Sequence, residues 1–211
     1  MKNPYSIIAS LLFVCLNSLQ SLSVPKSDVS SGFRTETLSA GWKMQPGDRL
    51  TGIDEKIISA NGFDTQNWYN AIVPGTVMGA LSDYKIIEDA TYGINMQKVD
   101  AAQFKQPWWF RTTFKLKASD LKKKVTLHFN GINYRADLWV NGQKVVGMDT
   151  FAGAYRMFSF NINPYIREGE NTLALKMIQF VDGEYSIGFC DWNPLPADRN
   201  LGIFRDVFLE V

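Results

Sequence analysis

Cysteine and histidine are almost missing from this sequence, with two of the first and one of the second in 211 residues. That scarcity excludes zinc sites built from thiolates or from several imidazoles. A dominant charge is missing too, because 22 basic and 21 acidic residues leave a net charge of +1. So weak a field gathers neither nucleic acid nor an anionic membrane surface, and neither partner is expected. Repeats and low-complexity tracts are absent, and no run of closely spaced oxygen ligands suggests calcium or any other cofactor. The apolar run Ile7 to Leu16 is shorter than the roughly 20 residues that a membrane-spanning helix needs. It follows Lys2 and precedes Ser21-Leu22-Ser23, the pattern of a secretory signal peptide covering residues 1–23 and cut after Ser23. Bulky Val14 before Cys15 argues against a lipoprotein anchor. Cleavage would leave Cys190 alone, with no partner for a disulfide and with burial as its expected fate.

Aromatic residues are plentiful at 13%, enough to build a sizeable core. Residues 24–40 read as a partly ordered, Ser/Thr-rich lead-in, and residues 41–211 as one domain of short strands. Trp109 to Phe114 has strong strand propensity, with Phe110, Thr112 and Phe114 on one face. In Val125 to Phe129 the apolar residues alternate inward, which turns Thr126 and His128 to the other side. The sole histidine is therefore read as a hydrogen-bonded strand residue rather than a catalytic base. Asp137 to Val146 carries Asn141-Gly142 between two apolar runs, the signature of a hairpin with a type I′ turn. Further strands are expected over Met157–Ile162, Asn171–Ile178 and Ile203–Val211, and one short helix from Thr76 through Met78 and Leu81. This pattern predicts an all-β protein, an antiparallel β-sandwich.

The densest polar stretch is Asp191 to Val207, DWNPLPADRNLGIFRDV. A self-contained glycosidase would need paired carboxyls about 5–5.5 Å or about 6.5–9.5 Å apart. Asp191, Asp198 and Asp206 are the candidates, yet Asp198 follows a Pro-x-Pro turn and Asp206 neighbours Arg205 on an expected strand. Both have ordinary structural explanations. Sugar binding makes a different demand: an aromatic face for the ring and planar polar groups for its hydroxyls. Asp191, Trp192 and Asn193 supply these side by side, stiffened by Pro194 and Pro196.

Taken in order, the motifs resemble the N-terminal sugar-binding domain of glycoside hydrolase family 2. They are Val73-Pro74-Gly75-Thr76, Tyr92-Gly93-Ile94-Asn95, Pro107 to Phe114, Gly131 to Tyr134, Trp139 to Gly142, and Asp191-Trp192-Asn193 through Gly202 to Val207. Their wording is most similar to the exo-β-glucosaminidase and β-mannosidase branch. The resemblance implies a jelly roll of the galactose-binding-like type. It also implies a catalytic (β/α)8 barrel as partner in a full-length secreted enzyme that retains configuration, with both catalytic glutamates on that barrel. No catalytic residue is then expected in this chain, which is read as a truncated one and alone should be inactive. The implied role of Asp191 is to hydrogen-bond the sugar at the cleaved position, with Trp192 as a pocket wall and Asn193 as a weaker contact. Asp198, Arg199, Arg205 and Asp206 are implied to hold loop and strand in place. A free-standing carbohydrate-binding module is the alternative.

Overall fold

The computed structural model describes residues 33–188 and 195–211. Its strands are β1 (Thr35–Thr37), β2 (Lys43–Pro46), β3 (Tyr69–Asn70), β4 (Trp108–Leu116), β5 (Thr126–Phe129), β6 (Arg135–Val140), β7 (Gln143–Val146), β8 (Phe158–Asn161), β9 (Gly169–Ile178) and β10 (Val207–Glu210). Among the described residues three short α-helices interrupt them, α1 (Glu55–Ile58), α2 (Val77–Asp83) and α3 (Asn95–Lys98), besides four 3-10 turns. The strands form a four-stranded sheet, β1-β10-β5-β8, and a six-stranded sheet, β3-β2-β4-β9-β6-β7. Pairing is antiparallel throughout. This is the expected all-β sandwich, and β1 falls within the segment read as a partly ordered lead-in.

The period-2 alternation of the strands decides which residues meet. β4 and β9 pair from Trp108–Met177 to Leu116–Gly169, so Phe110 lies opposite Leu175, and Leu175 opposite Leu138 of β6. That row packs against Leu127 and Phe129 of β5 and Val207 and Leu209 of β10, all in one buried core. The other face of the six-stranded sheet carries a second, smaller cluster of Leu50, Ile58, Trp68, Trp109, Trp139 and Ala174. Trp109 and Trp139 touch across it, with ring centroids 5.0 Å apart. Residues 47–68 supply Leu50, Ile58 and Trp68 and so form a cover on this face.

Local signals explain the connections. Asn141 and Gly142 have φ of 52° and 78°, the left-handed pair that a type I′ hairpin requires. Thr76 caps α2, its Oγ1 accepting from the Gly79 amide at 3.1 Å. Lys122 to Lys124 are exposed, as a solvated turn would be. His128 faces outward from β5, stacked on Phe208 at 4.6 Å, with Nδ1 2.8 Å from the Ser159 hydroxyl. Among the described residues its buried Nε2 has no hydrogen-bond partner, so none of their acids orients the ring in the manner of a catalytic triad.

Most strand boundaries differ from the sequence reading by one or two residues, and the start of the last strand differs by four. The final strand covers Val207–Glu210, not Ile203–Val211. Alternation alone suggested the longer run. Gly202, however, forms an isolated bridge with Asn133, and the carbonyl of Ile203 accepts from the Gly75 amide at 2.8 Å. Residues 202–206 therefore cross the end of the sandwich before the last strand begins.

Candidate functional site

The turns 73–76, 131–134 and 195–202 converge at this crossing. Gly202 is obligatory there: a Cβ would lie 2.4 Å from the Gly75 carbonyl oxygen and 2.7 Å from Thr76 Cα. Just before it, Arg199 and Asn200 both adopt left-handed φ, 52° and 58°. Asn133, fully buried, stabilises that turn by donating from Nδ2 to the carbonyls of Arg199 and Asn200, each at 2.9 Å.

Asp198 is the anchor of the junction. It is completely buried. Its Oδ2 accepts from the Met78 amide at 2.8 Å and its Oδ1 from the Asn200 amide at 2.9 Å, while the Thr76 side chain also bonds it. One carboxylate thus satisfies an otherwise orphaned amide in the first turn of α2 and fixes its own turn. Burial pushes its pKa above the usual carboxylate value, and these hydrogen bonds pull against that without reversing it.

Arg199 reaches back to the segment that follows β9. Its guanidinium lies 4.3 Å from the centre of the Phe180 ring, donates to the Phe180 carbonyl at 3.4 Å and pairs with Asp182. The incoming strand end is held again by Glu184, which pairs with Arg135 and accepts from the Val181 amide at 2.8 Å. A Cβ on Gly188 would lie 2.8 Å from Leu195 Cδ1 and 3.1 Å from Asn200 Nδ2, so the two stems meet. Asp191, Trp192 and Asn193, and with them Cys190, lie outside the described residues. What the structure assigns is the braced base on either side of them.

An open groove of about 940 Å³ runs beside this junction along α2, with Met78, Ser82, Ile87, Asp89, Met96 and Asp198 among its walls. The Asp89 carboxyl is held below its usual value by the Thr91 hydroxyl and amide. On the other stem, the exposed rings of Tyr155 and Tyr185 stand 5.1 Å apart.

The sequence expectations divide here. Asp198 and Arg199 hold the turn and the stems. Arg205 and Asp206 are exposed instead, because the strand starts only at Val207 and leaves them at the surface crossing. Arg205 lies 5.8 Å from the Phe204 ring, and Asp206 contributes its carbonyl to the Asn130 amide at 3.0 Å. Asn133, Phe180 and the Arg135–Glu184 pair were not given roles by the sequence. Only the place of Asn133 in Gly131-Ile132-Asn133-Tyr134 could have flagged it.

Residues 42–184 match the family model described as the glycosyl hydrolase 2 galactose-binding domain-like domain. An exo-β-D-glucosaminidase of Amycolatopsis orientalis is 38% identical over 74% of this chain and 15% of its own length. The enzyme of the same name from Streptomyces avermitilis is 32% identical over 86% of this chain and 20% of its own length. The chain thus spans about a fifth or less of these relatives. The crystal structure of the Amycolatopsis orientalis exo-chitosanase superposes with a TM-score of 0.77 at 34% identity, covering 83% of this chain and 20% of that one. A mannosylglycoprotein endo-β-mannosidase of Lilium longiflorum is 28% identical over 82% of this chain and 21% of its own length. With the matching model spanning most of the described sandwich, the chain belongs to the galactose-binding-like N-terminal domains of glycoside hydrolase family 2.

Proposed function

We propose that this domain is the sugar-binding, non-catalytic N-terminal part of a secreted retaining β-glycosidase that hydrolyses O-glycosidic bonds. Its partners in this reading are a β-linked glycoside and a catalytic barrel on the same polypeptide. Asp191 hydrogen-bonds the sugar at the cleaved position, Trp192 walls the pocket and Asn193 adds a polar contact. The observation that carries the reading is the bracing of both stems around residues 189–194, by Arg199 on Phe180 and Asp182 and by Asp198 on α2. Such bracing is what a loop needs if it is to present polar groups in one geometry without losing affinity to disorder. The identity to exo-β-D-glucosaminidases and the signal-peptide pattern support the substrate class and the export.

The test is Asp191→Ala in the full-length enzyme. Loss of a hydrogen bond to a charged group is worth about 1.5–3 kcal/mol, a fall in kcat/KM of about ten- to a hundredfold. A change of no more than a few-fold would remove Asp191 from the pocket. The 211-residue chain alone should show no hydrolysis.

The exposed pair Tyr155 and Tyr185 supports a second reading, a free-standing carbohydrate-binding module. Calorimetric titration of the isolated domain separates the two. Micromolar sugar binding abolished by Trp192→Ala favours the module, whereas absence of binding favours a site completed by the barrel.

A further inference from the structure

Three Asn-Gly pairs occur in the sequence, at 61–62, 130–131 and 141–142. Such pairs deamidate when the glycine amide nitrogen can reach the asparagine side-chain carbonyl carbon, since glycine offers no side chain to block the approach. The fold treats the three very differently. Gly142 donates its amide to the Ser59 carbonyl at 3.0 Å. The Asn141 side chain is bonded to Tyr165, Asn171 and Thr172. Gly131 is buried, and a Cβ there would come within 2.8 Å of the Phe204 ring and 3.1 Å of Arg205 Cδ. At 141–142 the nucleophile is already bonded, and at 130–131 it has no room to turn.

At 61–62 both restraints are missing. Gly62 is exposed, has φ of +80°, and has nothing within 4 Å of its Cβ position. Its amide makes no hydrogen bond among the described residues. Among the described residues the Asn61 side chain is held by one contact, Nδ2 to the Glu170 carbonyl at 3.1 Å, and its buried Oδ1 has no donor. We propose that Asn61 is a built-in site of spontaneous deamidation that loosens the cover over the Trp109–Trp139 cluster.

The reaction uses only water. The Gly62 amide nitrogen loses its proton and bonds to Asn61 Cγ, and the side-chain nitrogen leaves as ammonia. Water then opens the resulting succinimide at either carbonyl, leaving an aspartyl or an isoaspartyl residue at position 61. Both products lose the side-chain amide that donates to the Glu170 carbonyl, and the aspartyl product puts a carboxylate oxygen in its place, so acceptor faces acceptor. The isoaspartyl product also reroutes the main chain through the former side chain. Residues 55–63 would then depend on their remaining ties, including the Arg111 bonds to the Ile58 and Ala60 carbonyls and the Lys176–Glu55 ion pair.

The folded chain, incubated at mildly alkaline pH and mapped by peptide mass spectrometry, provides the test. Conversion of amide to acid should accumulate at position 61 several-fold faster than at 130 or 141, and Asn61→Gln should abolish it. In denaturant the three pairs should react at similar rates. Hydrogen exchange across residues 55–63 should be faster in the converted fraction. Equal or faster conversion at 130 or 141 in the folded chain, or a rate order unchanged by unfolding, would overturn the site. Unchanged exchange in the converted fraction would overturn its effect on the cover.

Discussion

Asp198 and Arg111 are buried ionisable side chains of opposite sign, and neither forms an ion pair among the described residues. Each is held instead by the backbone of a short helix. Asp198 accepts from an amide in the first turn of α2, and Arg111 donates to the carbonyls of Ile58 and Ala60 where α1 ends. The signs fit the helix ends, since amides at a start favour an anion and carbonyls at a finish favour a cation. Burial opposes the charge in both, raising the Asp198 pKa and lowering that of Arg111 to about 10. The difference lies in what each one holds. Asp198 fixes the turn at residues 198–200, whereas Arg111 fastens the cover on the far face of the six-stranded sheet. A buried amide left without an acceptor is also less tolerable than a carbonyl left without a donor.

The comparison would be broken by unequal or reversed costs. Asp198→Ala strands the Met78 and Asn200 amides, and should destabilise the domain by about 3–5 kcal/mol. Denaturant unfolding would show this as a lower midpoint, and a loss below about 1 kcal/mol would demote Asp198 from anchor to ornament. Arg111→Met keeps much of the packing on Phe63 while removing the donors to two carbonyls. Its expected cost is smaller, about 1–2 kcal/mol. Were Arg111→Met the more damaging change, the cover rather than the loop junction would be the weaker point of the fold.

Acid titration sharpens the same comparison. A raised pKa means that folded Asp198 holds its proton more tightly than the unfolded chain does. Its contribution to stability is therefore fullest below the ordinary value of 3.8 and falls as pH rises through the raised folded value. Relative to Asp198→Asn, which cannot titrate, the parent should gain stability as pH is lowered from neutrality towards 3.8. A parent that instead loses stability relative to that variant would show that the hydrogen bonds outweigh burial.

Much of the sandwich was legible because strand faces follow period 2. Phe110 with Phe114, Leu127 with Phe129, and the Asn141-Gly142 turn all lie where alternation and turn chemistry put them. The helix capped by Thr76 was legible from its capping threonine and the helical spacing of Met78 and Leu81. What alternation could not carry was the second apolar face. Trp109 alternates with Phe110 onto the opposite face, and the cover brought by Leu50, Ile58 and Trp68 makes that face, with Trp139, a second core. Arg111 drew no notice in the sequence because its partners, two carbonyls about fifty residues away, leave no side-chain signature. The candidate site was legible as motif order rather than geometry. Asp198 and Arg199 could be given a bracing role from their place near the loop, but their partners Met78, Phe180 and Asp182 could not.

Arg205 and Asp206 give the smallest expected effect and the finest control on this distinction. They share the charge-dense stretch with Asp198 and Arg199, and the resemblance assigned all four a bracing role. Yet Asp206 is exposed, and its structural contribution is its main-chain carbonyl, which any residue supplies. Asp206→Ala should therefore change unfolding free energy by no more than about 0.5 kcal/mol. A loss comparable to that of Asp198→Ala would mean that the exposed carboxyl takes part in the junction. Near-neutrality would confine the anchoring chemistry of the stretch to Asp198 and Arg199, whose side chains make the contacts.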